Sequence, residues 1–483
     1  MRVCIITEGS YPYVVGGVSS WIHNLIKAFS DVEFVLWEIV SDRHQEREFM
    51  YELPENLTEI YEVYLQDDDW DINGSKEEHK RLKKNEYEVL KSLMIGVETD
   101  WHGLFEMLHS SKYGIEELLM GEDFLHITRE FYDREYSQIP FCDFLWTLRS
   151  IYMPLFQVIR SEIPKAEIYH CVATGYSGVL GSMAKYYHKG GLLLSEHGIY
   201  TREREEELIK ANWVDNVYKK IWVDQFHKMS RLVYDETESV VSLFPHARSL
   251  QVQIGCPKEK TLVIPNGIYV DRFQNLPDKR SKELGIVNIG AIVRVTPIKD
   301  IKTMIQAFYF ASKKVPNLHL WVMGNTEEEP EYAKECFELV SVLGIENLVT
   351  FTGIVNVTEY LGRMDMTILT SISEGQPLTI LESFAASKPV IATDVGDCRG
   401  LIYGNKIGDK EAGILTHVMN VEEISDAIVK LATNEELCKF MGQVGRKRVA
   451  KYHRIEEIND RYRDLYKEIY KNNGVNQSKR KLR

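Results

Sequence analysis

Two Rossmann-like, doubly wound α/β domains facing a crevice are the architecture this chain predicts, and three observations predict it. An apolar run, Val3 to Thr7, is followed by Val18, Trp21, Ile22, Leu25, Ile26 and Phe29 at helical spacing, then by a second apolar run, Phe34 to Val40. That order is the βαβ opening of a parallel sheet. A second and more regular alternation starts at Ile286, with strands expected at 286–293, 318–323, 349–352, 366–370, 389–393 and 413–415. The length of 483 residues exceeds one ordinary core.

The first domain is read as 1–274. Its alternation lapses over about 41–150, where acidic and helical stretches rich in Trp, Phe and Leu suggest a helical insertion. Strands are expected again at 167–174, 192–197 and 231–234, and the domain closes with Leu262 to Ile268. A polar linker, Asn275 to Ser281, leads to a second domain at 284–455. A last helix, 456–472, carries Ile458, Tyr462, Leu465, Tyr466 and Ile469 on one face, and a basic tail, 473–483, ends the chain.

Composition narrows the function classes. The chain is 44% hydrophobic and 27% charged, as in a soluble globular protein. Its net charge of −14 arises between residues 41 and 140, which hold 25 acidic against 11 basic residues. A nucleic-acid binder needs the opposite sign. The sequence opens directly on a strand, without the pattern of a signal peptide. No apolar run approaches the roughly 18–20 residues that span a bilayer. Seven scattered cysteines without a C-x-x-C pair fit a reducing cytoplasm. These features lead us to expect a cytoplasmic protein, peripheral to a membrane at most through partners.

The chemistry concentrates in the second half. Arg294 and Lys299 follow the first strand there, and two cations at the carboxyl edge of a strand are what a diphosphate leaving group requires. Two surface bases flanking a loop is the plainer reading. Glu374 and Glu382 have seven residues between them in Ser373-Glu374-Gly375-Gln376-Pro377-Leu378-Thr379-Ile380-Leu381-Glu382. Pro377 suits the first turn of a helix, which leaves Glu374 in the preceding loop and Glu382 in the second turn. The N–H groups of Gly375 to Leu378 would then face a phosphate or sugar oxygen. Glu374 can accept from sugar hydroxyls, and Glu382 can take a ribose diol. In the first half, Gly16-Gly17 lets backbone approach a ligand. His197 ends the apolar strand Leu192 to Glu196, as a strand cap or a substrate contact. Asp67-Asp68-Asp69 could hint at a metal pair, but no buried strand precedes it, and no metal site is expected.

These residues resemble family 4 glycosyltransferases, which have the two-domain GT-B fold. Gly16-Gly17, His197, Val263 to Ile268, Arg294 with Lys299, and Glu374 with Glu382 occur in the family's order. The acidic insertion and Ser195 to Glu203 are similar to the PelF transferases of Pel exopolysaccharide synthesis. The resemblance implies retaining transfer of a hexose or N-acetylhexosamine from a UDP-sugar to a growing polysaccharide, with no metal cofactor. It places Arg294 and Lys299 on the diphosphate, Glu382 on the ribose, and Glu374 with the 375–378 amides (Gly375, Gln376, Pro377, Leu378) on the sugar. Gly16-Gly17 would lie against the phosphates, His197 near the reacting carbon, and Tyr200 and Arg202 toward the acceptor. It also implies that the first domain serves the acceptor, that the last helix returns to it, and that membrane synthase or export proteins are partners. A UDP-sugar epimerase and a non-catalytic UDP-binding partner of a membrane synthase are the alternatives. An NAD-dependent oxidoreductase fails, because no Gly-x-Gly-x-x-Gly follows the first strand.

Overall fold

A computed structural model describes residues 1–44, 46–66, 81–110, 112–211, 214–406 and 408–481. Asp67 to Asp69, the acidic run considered as a metal pair, lies outside them. By internal packing the chain divides into two units, Met1–Val263 with Tyr462–Arg483, and Ile264–Arg461.

The first unit is built on seven parallel strands: β1 (Arg2–Glu8), β2 (Glu33–Asp42), β3 (Leu57–Gln66), β4 (Ile168–Cys171), β5 (Gly191–Glu196), β6 (Ser239–Ser242) and β7 (Thr261–Val263). Their order is β3-β2-β1-β4-β5-β6-β7. The order reverses direction beside β1, the switch point at which doubly wound sheets open a crevice. Central strands are covered on both faces, which is why they read as continuous apolar runs: every residue of β5 is buried. The helix Gly17–Ala28 buries Trp21, Ile22, Leu25 and Ile26 and leaves its polar face outward.

Between β3 and β4 the helices Lys84–Ile95, Trp101–His109, Ile115–Met120, Glu122–Phe131 and Phe141–Arg160 form the insertion. Leu90, Leu93, Leu104, Phe105, Phe124, Phe144 and Leu148 join the same apolar core as the sheet. The insertion is therefore part of this unit's core.

Three expectations change here. The stretch taken as the start of the helical insertion contains β3, which has one neighbour, β2. Its alternation is blurred because Ile60 and Tyr64 share a face with Thr58 and Glu62. Residues 231–234 are helical, within Asn216–Glu236, where Ile221, Phe226, Met229 and Val233 form one buried stripe. The strand follows at β6. The last helix is Ile455–Lys481 and runs through most of the segment read as a tail.

The second unit has six parallel strands: β8 (Val287–Ile292), β9 (Leu318–Met323), β10 (Val349–Gly353), β11 (Met366–Leu369), β12 (Val390–Thr393) and β13 (Gly413–Thr416). Their order is β10-β9-β8-β11-β12-β13. All six agree with the sequence reading to within two residues. Residues 264–274 pack with this unit: Val270 and Phe273 belong to its core, and Ile268 bridges Arg454 in parallel.

Candidate functional site

The loops after β8, β11 and β12 bring most of the expected residues of the second unit together. Arg294 lies just past the end of β8, and Lys299 closes a short 3-10 turn, Pro297–Lys299. That turn is fastened to the end of β11, since Ile372 N–H donates to Ile298 O at 2.8 Å and Thr370 Oγ1 donates to Lys299 O at 3.0 Å. Lys299 Nζ donates to Glu374 Oε1 at 2.6 Å, and Ser371 Oγ donates to the same oxygen at 2.6 Å. Both side chains of the ion pair are largely buried, 17% and 11% exposed, so the pair is more than a surface contact. Arg294 is instead half exposed and paired with Glu328.

Pro377 is the N-cap of the helix Leu378–Ala385, one residue earlier than its expected place in the first turn. Its fixed φ of −72° suits that position as well. Glu382 falls in the second turn. Among the described residues no hydrogen bond ends on its carboxylate. Burial raises it to about 7, with Arg272 acting in the opposite direction. Its side chain is part-buried and open to a ligand from solvent. The side chain of Gln376 points inward and is 6% exposed, held by Asn266 and Asp397.

In the first unit Gly16 is the N-cap of Gly17–Ala28 with φ −167°, extended backbone that any residue can adopt. A Cβ on either Gly16 or Gly17 would meet nothing within 4 Å. Neither backbone geometry nor packing within the chain explains the absence of a side chain there. His197 follows β5. Its Nε2 is shut off from solvent and has no hydrogen-bond partner among the described residues, and burial holds the ring down at about 4. It is a neutral imidazole at pH 7, with the Trp21 ring 4.5 Å from it. Tyr200 is buried, its ring filling the place a Cβ on Gly175 would take, whereas Arg202 is exposed.

Sequence reasoning missed several neighbours. Glu196 is fully buried and accepts from Gln251 Nε2 and Tyr234 Oη, each at 2.9 Å, and from Tyr200 N–H at 3.2 Å. It thereby ties the 197–199 loop to the sheet. Its place between Ser195 and His197 at a strand end was the available signal. Ser371 could have been suspected from its position three residues before Glu374. Arg272 and Glu328 left no signal, because both come from distant segments.

A cavity of about 670 Å³ opens between the helical insertion and the helix Asn216–Glu236, but none of these residues lines it. Its Arg134, Lys220 and His102 are already paired with Glu135, Asp224 and Glu236. Among the described residues no group of His, Cys, Asp and Glu is arranged to hold a metal ion, and no helix is long and apolar enough to cross a membrane.

Two doubly wound parallel sheets, the second carrying a cation–carboxylate cradle at its strand ends, have the architecture of GT-B glycosyltransferases. Solved structures share it: HepE of Anabaena in complex with UDP and glucose superposes with a TM-score of 0.59 at 15% identity, over 96% of this chain and 99% of that one. Sucrose-phosphate synthase of Thermosynechococcus elongatus gives 0.62 at 14% identity, over 97% and 99%. Residues 283–434 match the family described as glycosyl transferases group 1. Residues 1–259, more than half the chain, match the family described as domain of unknown function DUF3492, and the chain belongs to that family. N-acetyl-alpha-D-glucosaminyl L-malate synthase of Bacillus anthracis is 30% identical over 173 residues, covering 36% of this chain and 43% of that protein. The chain spans about two fifths of the length of the first curated relatives it matches.

Proposed function

We propose that the protein is a retaining glycosyltransferase that moves a hexose or N-acetylhexosamine from a UDP-sugar to a growing polysaccharide, in exopolysaccharide synthesis of the Pel type. The observation that carries this reading is the largely buried pairing of Lys299 with Glu374 just before the helix whose second turn bears the part-buried Glu382. A nucleoside diphosphate sugar supplies the three groups such a site lacks. Its ribose diol gives donors to Glu382, its sugar hydroxyls give donors to Glu374, and its diphosphate gives anionic oxygens to Lys299 and Arg294. UDP bound in a neighbour of the same fold, HepE, supports the choice of uridine.

Once the diphosphate engages Lys299, the ion pair with Glu374 loosens and the carboxylate is free to hold the sugar. As the glycosidic bond breaks, negative charge grows on the β-phosphate, and the two cations stabilise it more strongly than in the ground state. His197 is neutral and therefore able to accept from a sugar hydroxyl rather than repel developing positive charge at the anomeric carbon. The open spaces over Gly16 and Gly17 leave room for phosphate oxygens against the head of the helix Gly17–Ala28. The charge stabilisation comes from side chains, so no metal is required. Tyr200 and Arg202 belong to the acceptor side, with Arg202 the exposed contact.

The test is a donor screen over UDP-glucose, UDP-galactose and their N-acetylated forms, reading UDP release with and without oligosaccharide acceptors. Acceptor-stimulated release with retained anomeric configuration is the expected result. An epimerised UDP-sugar in place of transfer, or UDP binding without turnover on any donor, would overturn it.

A further inference from the structure

Inside the second unit a single hydrogen-bonded line joins four buried residues, each 6–7% exposed: His453, Asn266, Gln376 and Asp397. His453 Nδ1 lies 2.8 Å from Asn266 O and must donate, because a carbonyl only accepts. Asn266 N–H donates to Gln376 Oε1 at 2.6 Å, and Asn266 Nδ2 donates to Gln376 O at 3.1 Å. Gln376 Nε2 donates to Asp397 Oδ2 at 2.6 Å, and Asp397 N–H donates to Gly375 O at 2.9 Å. The loop after β12 presses on the same turn. Gly396 has φ +54°, and a Cβ there would come within 2.2 Å of Gly375 O and 2.3 Å of Glu374 O.

The far end of the line is as firmly placed. Ile268 N–H donates to His453 O at 2.9 Å and Ile455 N–H to Ile268 O at 3.1 Å. Gly267 lies so close that a Cβ would stand 2.8 Å from Ile455 Cα. The chain enters this unit at Ile264 and leaves it at Arg461. Both crossing segments, 264–268 and 453–461, therefore share one short laced stretch, and Gln376 connects that stretch to the turn bearing Glu374.

We propose that Gln376 and Asp397 are positioning residues that fasten the Glu374–Pro377 turn to the two chain crossings, so that the sugar-binding carboxylate cannot move without them. The inference rests on the donor-site reading above. Gln376 is 6% exposed and each end of its amide holds a partner within the protein, which fits a positioning role. Asp397 selects the amide's orientation: its carboxylate oxygen accepts, so Nε2 faces it and Oε1 faces Asn266 N–H. Burial pushes the Asp397 carboxyl up to about 7, so an uncharged isostere suits the position.

The test compares wild type with Asp397→Asn, Gln376→Leu and the double variant Gln376→Leu/Asp397→Leu. UDP and UDP-glucose affinities are measured by calorimetry, donor KM and kcat by UDP release, and melting temperature alongside. Asp397→Asn keeps the acceptor and should stay within about threefold of wild type in every measure. The double variant removes the amide and the carboxyl together, leaving only Asn266 N–H without its acceptor, and should remain folded with a lowered melting temperature, UDP affinity within about threefold and kcat lowered at least about tenfold. Its preference for UDP-glucose over UDP should shrink as well. Unchanged turnover in the double variant, or UDP affinity falling in step with melting and turnover, would overturn the proposal. Absence of transfer in the wild type would defeat the functional reading separately, and the affinity ratio of UDP-glucose to UDP would still test the positioning role.

Discussion

At the residue scale Glu374 holds two donors at once, Lys299 Nζ and Ser371 Oγ, both on Oε1. Removing it leaves a mostly buried ammonium unpaired, and a diphosphate is the natural replacement. Glu374→Ala should abolish transfer while UDP binds within a few-fold of wild type or more tightly. Calorimetry showing UDP binding lost with turnover intact would reverse the assignment. The ribose contact proposed for Glu382 carries a pH dependence that can be measured. The free Glu382 carboxyl sits near 7, raised by burial, and ribose hydroxyls stabilise the ionised form, lowering it on binding. Affinity should therefore weaken as pH falls through about 7. Uridine is the probe, because it has no phosphate of its own to titrate, and Glu382→Gln should flatten the profile. A wild-type profile flat from pH 5 to 8 would remove Glu382 from the ribose.

At the scale of elements, the head of the helix Gly17–Ala28 and the docked end of the last helix are the informative pieces. Gly16→Ala places a methyl in open space on extended backbone, so the melting temperature should hold while turnover falls at least about tenfold. A loss of stability without a loss of turnover would make the glycine structural. In the last helix, Tyr466 Oη and Ser195 Oγ each lie 2.7 Å from a ring nitrogen of His170, which is fully buried and held down at about 3. A solvent-exposed histidine titrates near 6.5. The docked state thus binds fewer protons, so its stability is full above about 6.5 and declines as pH falls toward 3. Once the intrinsic pH dependence of amide exchange is divided out, protection over 462–473 should fall between pH 6.5 and 5 in wild type and much less in His170→Asn. The same elements show how far patterning reached. The six strands of the second unit are short runs bounded by turns, β11 and β12 buried throughout, and their positions were legible. Residues 231–234 were misread because Leu-Val-Tyr has strand propensity, and the helix there is decided by a stripe extending back to Tyr218.

Across the whole molecule, each unit has its own sheet and its own core. The groups assigned to the nucleotide base-side half and diphosphate, Glu382, Arg294 and Lys299, all belong to the second unit. UDP should slow hydrogen exchange over 294–299 and 372–384, and should leave the insertion helices of the first unit, such as Trp101–His109, unchanged. Equal protection of those helices would place the nucleotide elsewhere.

Read alone, the chain settles what depends on local order and spacing. Periodicity of two and of 3.6 marks two parallel α/β units, and the sequence Glu-Gly-x-Pro places one carboxylate before a helix and another in its second turn. Contacts between remote segments were decided only by folding. That Lys299 reaches Glu374, that Arg272 faces Glu382, and that Gln376 turns inward between Asn266 and Asp397 all depend on which strand ends the sheet order brings side by side. Such neighbours are separated by up to about a hundred residues, and no local periodicity carries their register.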